Sequence, residues 1–304
     1  MKANEYIIKS LLVTVLIIGA ISSSSQLFGQ SNSFNIRKIG HGTPIILIPG
    51  YASAGTIWNE TIADLDTSQF ECHVLSLAGF GGVEGIKTES YLKRIAGGIE
   101  KYVEKNKLEK PVLIGHSLGG LIALIIGSER SDLLSSIIVV DTWPFTPAAI
   151  DPKATIENQK PFAESYFSYD TIPLGISYSQ SEGDLKPYLT VLTGKAEKID
   201  LLVEMTLKSD ERTCKQAMYE MFTVDTRDKL NNISIPVLIL GTWFAYRNYG
   251  ITHASMSNAF HEQYSNLQDK EIYVHSDARH FIMWDAPDWF QYHLTKFLSK
   301  DSLD

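Results

Sequence analysis

Cysteine is scarce in this chain: there are two in 304 residues, Cys72 and Cys214. No cysteine and histidine cluster has zinc spacing, so no structural metal is expected, and sequence alone does not bring the two thiols within bonding distance. Cys72 falls in a strand-like stretch and reads as a buried free thiol. Positive charge is also in deficit. Lys and Arg number 27 against 35 Asp and Glu, the formal net charge is −8, and no basic block occurs, so a nucleic-acid partner has no electrostatic support. No phosphate-loop pattern is present. The glycines of Gly79-Phe80-Gly81-Gly82 lack the spacing and the following helix of a dinucleotide fingerprint, and read instead as a tight loop bringing backbone close to a site. Nothing calls for a cofactor.

Long apolar runs are missing as well, except over residues 11–21. That run follows Lys2 and Lys9, precedes a small, polar stretch, and is short for a membrane span, which is the order of a secretory signal peptide covering residues 1–30. The expected mature protein is exported, periplasmic or secreted, with no stable membrane span after cleavage. An uncleaved anchor is the alternative.

What is present is core-forming material. Hydrophobic residues make up 44% of the chain, enough for one large domain with an insertion. Short apolar runs at residues 44–47, 74–77, 112–114, 137–140, 236–240 and 271–274 alternate with helical patterns such as Tyr91, Ile95, Ile99 and Val103. Strand and helix in alternation predict an α/β fold with a mostly parallel sheet covered by helices on both faces. The alternation stops over residues 142–232, too long for an ordinary connection. The expected organisation is therefore a core of residues 31–141 and 233–304, with a helical cap subdomain, residues 142–232, inserted in it.

The central stretch is Val112-Leu113-Ile114-Gly115-His116-Ser117-Leu118-Gly119-Gly120. An apolar strand, a sharp turn with small flanks and a helix start place the Ser117 hydroxyl at the sheet edge, the G-x-S-x-G arrangement of a nucleophile. A serine hydroxyl is a poor nucleophile at neutral pH and needs a base within reach, held in the right tautomer by a third group. His280 lies just after the last strand, at the same end of a parallel sheet as the serine turn, and is the first choice. His41, His73, His253, His261, His275 and His293 sit before, within or beyond strands and on helical patterns, and His116 is expected to turn away from its neighbour. For the carboxylate, no Asp or Glu follows the strand ending at Leu240 before His261. Asp141 ends the strand after the serine helix and is preferred to Asp277 and Asp285, the latter reading as the N-cap of the closing helix. Backbone N–H groups of Leu118 and Tyr51 are the expected oxyanion donors, Gly50 allowing the close approach.

Together these motifs resemble the α/β-hydrolase superfamily, in particular its exported, capped bacterial members, over roughly residues 34–299. The order Ser117, Asp141, His280 is that superfamily's nucleophile, acid, base order. Pro49-Gly50 stands where a His-Gly pair is common, and the acid is absent from its commoner place after the strand ending at Leu240. The resemblance implies a serine hydrolase, of carboxylesterase type, cleaving a small-molecule ester or other acyl substrate through an acyl-enzyme. The same triad would serve an amide, peptide or lactone hydrolase, and a non-catalytic ligand-binding protein on this fold is the remaining reading. Trp143, Phe145, Phe162, Tyr166, Phe167 and Tyr178 line an acyl pocket or form the cap's own core.

Overall fold

The computed structural model describes residues 28–30, 33–167 and 182–301. Most of the expected leader, its cleavage region and Tyr178 lie outside the described residues. No described helix is long and apolar enough to cross a membrane.

Eight strands form one sheet: β1 (Phe28–Gln30), β2 (Phe34–Gly40), β3 (Thr43–Ile48), β4 (Phe70–Leu77), β5 (Val112–His116), β6 (Ile137–Val140), β7 (Val237–Thr242) and β8 (Lys270–His275), in the order β1-β2-β4-β3-β5-β6-β7-β8. From β4 to β8 all neighbours are parallel. β2 is antiparallel to β4, with Phe34 opposite Leu77, and β1 adds antiparallel to β2.

The apolar runs of β3, β5, β6 and β7 are continuous because these central strands bury both faces. Ile46, Ile48, Leu113, Val139 and Ile239 face one core, while Ile45, Leu47, Ile114, Ile138, Val140 and Leu240 face the other. Successive side chains therefore feed opposite layers, the period of two that a strand dictates.

Ten α-helices are described: α1 (Asn59–Ala63), α2 (Tyr91–Asn106), α3 (Leu118–Arg130), α4 (Ile156–Phe167), α5 (Glu182–Leu192), α6 (Ala196–Leu207), α7 (Glu211–Thr223), α8 (His253–Gln263), α9 (Ile282–Asp285) and α10 (Pro287–Asp301). Helices α2, α3 and α8 cover the first face through residues such as Ile95, Ile122 and Phe260; α1 and α10 cover the second through Ile62, Phe290 and Leu294. Cys72 and Cys214 are buried free thiols, and burial pushes the Cys72 thiol up to about 11.

Helices α4 to α7 lie between β6 and β7. α4 packs on α7 through Phe162, Phe167 and Phe222, with ring centroids of 5.5 and 5.3 Å to Phe222. The Gly79 loop docks on this insertion, with Asp210 N–H donating to the Gly79 carbonyl at 2.7 Å and Gly82 N–H to the Lys208 carbonyl at 3.1 Å, while its Phe80 ring meets that of Tyr51 after β3 at 5.4 Å.

One joint between insertion and core is electrostatic. The Ser90 side chain does not cap α2. Instead Glu220 of α7, itself buried, accepts the N–H groups of Tyr91 at 2.6 Å and Leu92 at 2.8 Å. A carboxylate at a helix N-terminus meets both the free donors and the positive end of the dipole. Replacing Glu220 by Ala leaves two buried N–H groups unpaired, and a stability loss of about 3 kcal/mol or more is expected; urea titration of E220A beside E220Q, which keeps one acceptor, measures it.

Candidate active site

Because the central strands are parallel, the carboxyl ends of β3, β5, β6, β7 and β8 share one rim. The backbone is strained there. Among the described residues five non-glycines have positive φ, and three of them, Ala52 (51°), Ser117 (55°) and Asp141 (47°), follow β3, β5 and β6. Such conformations cost about 1–3 kcal/mol each and persist where the surroundings enforce them, most often at functional sites.

Ser117 has φ 55° and ψ −121° at the start of α3. The turn closes only because its flanks lack side chains: a Cβ on Gly115 would sit 2.3 Å from the Gly119 carbonyl oxygen, and one on Gly119 would sit 2.4 Å from the Ile48 oxygen. Gly50 makes the third close approach, with room for no Cβ between it and His116 Nδ1 (2.8 Å) or Ser117 Cβ (3.1 Å). Ser117 N–H donates to the Val140 carbonyl at 2.9 Å and its carbonyl accepts from Thr142 Oγ1 at 2.9 Å, so Asp141 sits between two residues bonded to the serine backbone.

Asp141 and His280 meet directly. The Asp141 carboxylate is buried and takes His280 Nδ1 at 2.6 Å on one oxygen and the Thr242 N–H at 3.0 Å on the other. Burial pushes the Asp141 carboxyl above the usual carboxylate range, opposed by the bond and charge of His280 and by the Thr242 amide. The bond at Nδ1 leaves Nε2 as the free ring nitrogen of His280.

The Ser117 hydroxyl makes no hydrogen bond to a described residue. Ligand-free sites commonly hold such groups apart until substrate arrives. The residue before it joins the His280 loop: the His116 ring lies 4.5 Å from that of His280, and His116 Nε2 donates to the His280 carbonyl at 3.0 Å. Burial, and then the nearby charge of His280, hold His116 well below the ordinary histidine range, so it is a neutral strut and not a second base.

The amides of Tyr51 and Leu118 donate to no acceptor among the described residues, leaving two free N–H groups beside the serine turn. The rejected histidines lie elsewhere. His73 is buried against Tyr102 at 2.7 Å, His253 bonds the Val274 carbonyl at 3.0 Å, and His275 accepts the Asp277 and Ala278 amides at 3.0 and 2.8 Å. Asp277 is exposed and bonded to Ser276 at 2.5 Å.

Asp285 does not cap the closing helix. Its carboxylate accepts Thr193 Oγ1 at 2.7 Å, Gly194 N–H at 2.9 Å and Arg279 N–H at 2.9 Å, because the short helix α9 ends at Asp285 and turns it back toward the His280 loop. Sequence reasoning also missed Thr242, whose amide holds Asp141 and whose hydroxyl donates to the Ala278 carbonyl. Of the aromatics, Trp143 stacks on Phe260 at 3.9 Å, and Phe145 is fully buried beneath Arg227 in a small cluster with Ala148 and Ala154. Phe162, Tyr166 and Phe167 pack on one another and two of them on Phe222, so these serve the insertion's own packing.

A parallel sheet with this turn and this carboxylate–imidazole pair defines a hydrolase fold. The sequence model described as alpha/beta hydrolase fold matches residues 43–287, and the chain belongs to that family. It is similar to the pimeloyl-[acyl-carrier protein] methyl ester esterase of Vibrio campbellii, 31% identical over 115 residues, covering 38% of this chain and 43% of that protein. The chain thus spans less than half the length of the curated relatives of that kind which it matches. Among solved structures, an esterase from Thermogutta terrifontis superposes with a TM-score of 0.68 at 20% identity, covering 90% of this chain and 99% of that one. An enol-lactonase from Burkholderia xenovorans does so at 0.63 with 15% identity, covering 90% and 100%. These structural likenesses concern the fold. The family match gives the fold of this chain, and the relatives of that kind are esterases by name.

Proposed function

We propose that the protein is a serine hydrolase of carboxylesterase type, with Ser117 as nucleophile, His280 as base and Asp141 as the acid that orients it. The observation that carries this reading is the 2.6 Å bond from His280 Nδ1 to a buried Asp141 at the rim that also holds the strained Ser117. Ser117 Oγ attacks the acyl carbon while His280 Nε2 takes its proton, and the carbonyl oxygen becomes an oxyanion met by the Tyr51 and Leu118 amides. Collapse of that intermediate breaks the bond to the alcohol, which leaves with the proton from His280. Water then attacks the acyl-enzyme with the same base, releasing the carboxylic acid and restoring Ser117. Asp141 fixes the tautomer and stabilises the imidazolium without itself taking the proton.

In this reading the helices of residues 142–232 act as a cap that selects the acyl group, and residues 1–30 export the enzyme. A fluorophosphonate probe is expected to label the protein at Ser117, located by peptide mapping, and p-nitrophenyl esters to turn over faster than lactones or aminoacyl anilides. A protein that neither labels nor hydrolyses any ester is not this enzyme.

A further inference from the structure

The loop carrying His280 is tied at each residue. Ala278 N–H donates to His275 Nδ1 at 2.8 Å, and its carbonyl accepts from Thr242 Oγ1. The His280 carbonyl accepts from His116 at 3.0 Å. Those partners belong to the sheet and its edge. The ties on either side of His280 reach the insertion instead. Phe281 N–H donates to the Leu192 carbonyl at 3.1 Å, and Arg279 Nη1 donates to the Thr193 carbonyl at 2.9 Å. Asp285 joins both parties: one oxygen accepts the Arg279 amide at 2.9 Å, and the other accepts Thr193 Oγ1 at 2.7 Å and the Gly194 amide at 2.9 Å.

Leu192 ends α5, and Thr193 and Gly194 belong to the turn leading into α6. These helices are seated on the second core by Leu189, Ile199 and Leu202. A displacement of the α5–α6 turn therefore pulls on the residues immediately before and after His280. We propose that Asp285 is a positioning residue that ties the α5–α6 turn to the His280 loop, so that the seating of the insertion sets the placement of the base. The proposal rests on the catalytic reading above and adds a dependence of the base on the cap, through a carboxylate outside the triad.

Asp285→Asn keeps the size of the side chain but can no longer accept on both sides, whereas Thr193→Val removes only the insertion's hydroxyl. In D285N, kcat for a p-nitrophenyl ester is expected to fall about tenfold or more with KM little changed, since small misplacements of a catalytic group cost this much. T193V should lower kcat in the same direction by a smaller factor, and the double variant should be no slower than D285N. A second readout does not need activity: the low-field imidazole proton of the His280–Asp141 bond, assigned by its loss in D141N, should shift or broaden in both variants. Lower melting temperatures with wild-type kcat and an unmoved resonance would make Asp285 merely structural and overturn the proposal, as would multiplicative losses in the double variant. If D285N fails to fold, T193V decides, its resonance moved or unmoved. Should the wild-type protein turn over no ester, the catalytic reading fails, and the resonance still tests the tie.

Discussion

Ser117→Ala is expected to lower ester turnover by about 10⁴- to 10⁶-fold, the loss typical of removing the nucleophile from a unit whose members act together. The backbone amides of Tyr51 and Leu118 stay in place, so a small residual rate above that of water should survive. The same position carries a second expected effect, on stability. The Ser117 backbone at φ 55° and ψ −121° is unfavourable for any residue with a Cβ and ordinary for glycine. Ser117→Gly should therefore be as inactive as S117A but more stable than it by about 1 kcal/mol or more. Chemical denaturation of the two variants side by side reads the difference. Equal stabilities would mean that the turn is not strained.

Asp141→Asn is the second large effect, with a fall in kcat of about 10⁴-fold. An asparagine that accepts the Thr242 amide must offer its NH₂ to His280 Nδ1, which then holds the wrong tautomer for accepting the Ser117 proton at Nε2. Stability should move the other way. Burial raises the Asp141 carboxyl above its ordinary value, so the folded protein binds that proton more tightly than the unfolded chain does. The stabilising contribution is present below the unfolded value of about 3.9 and is lost as pH rises through the folded value. At neutral pH the ionised carboxylate weighs against folding, and D141N is expected to melt above the wild type, by a margin that grows as pH is raised from about 4. A melting-temperature series in matched buffers checks both sign and trend. Activity and stability then pull in opposite directions at one residue, as they do where a site requires a buried charge.

The strained turn at Ser117 was legible in the sequence because its constraint is local: a strand, small flanks and a helix start fit in nine adjacent residues. His280 was legible from its order after the last strand, and Asp141 from the absence of any carboxylate after β7. The partners that hold these residues were not. Thr242, His116 and Asp285 act through backbone amides and carbonyls, which have no side-chain signature, and Asp285 was misread because an acid just before a helix beginning with proline looks like a cap. In the fold, the break in alternation over residues 142–232 was legible, but α4 and α5 within it were not. Each carries a proline at its sixth position, Pro161 and Pro187, which reads as a breaker. β2 was overlooked because its half-buried alternation, Phe34 and Ile36 inward with the polar Asn35 between them and the charged Arg37 and Lys38 beyond, is weaker than the double-sided runs of the central strands.

The acceptor for the start of α2 has a consequence for how the chain matures. Glu220 lies 129 residues after Tyr91, so a ribosome that has finished α2 has not yet delivered the group that satisfies its first amides. Until α7 emerges, the leading turn of α2 has only water to bond to, and it frays. At translation speeds of about 5–20 residues per second, that interval lasts on the order of ten seconds. Over that time the nascent chain exposes a helix end that chaperones can engage, and the central layer it will cover still lacks β7 and β8.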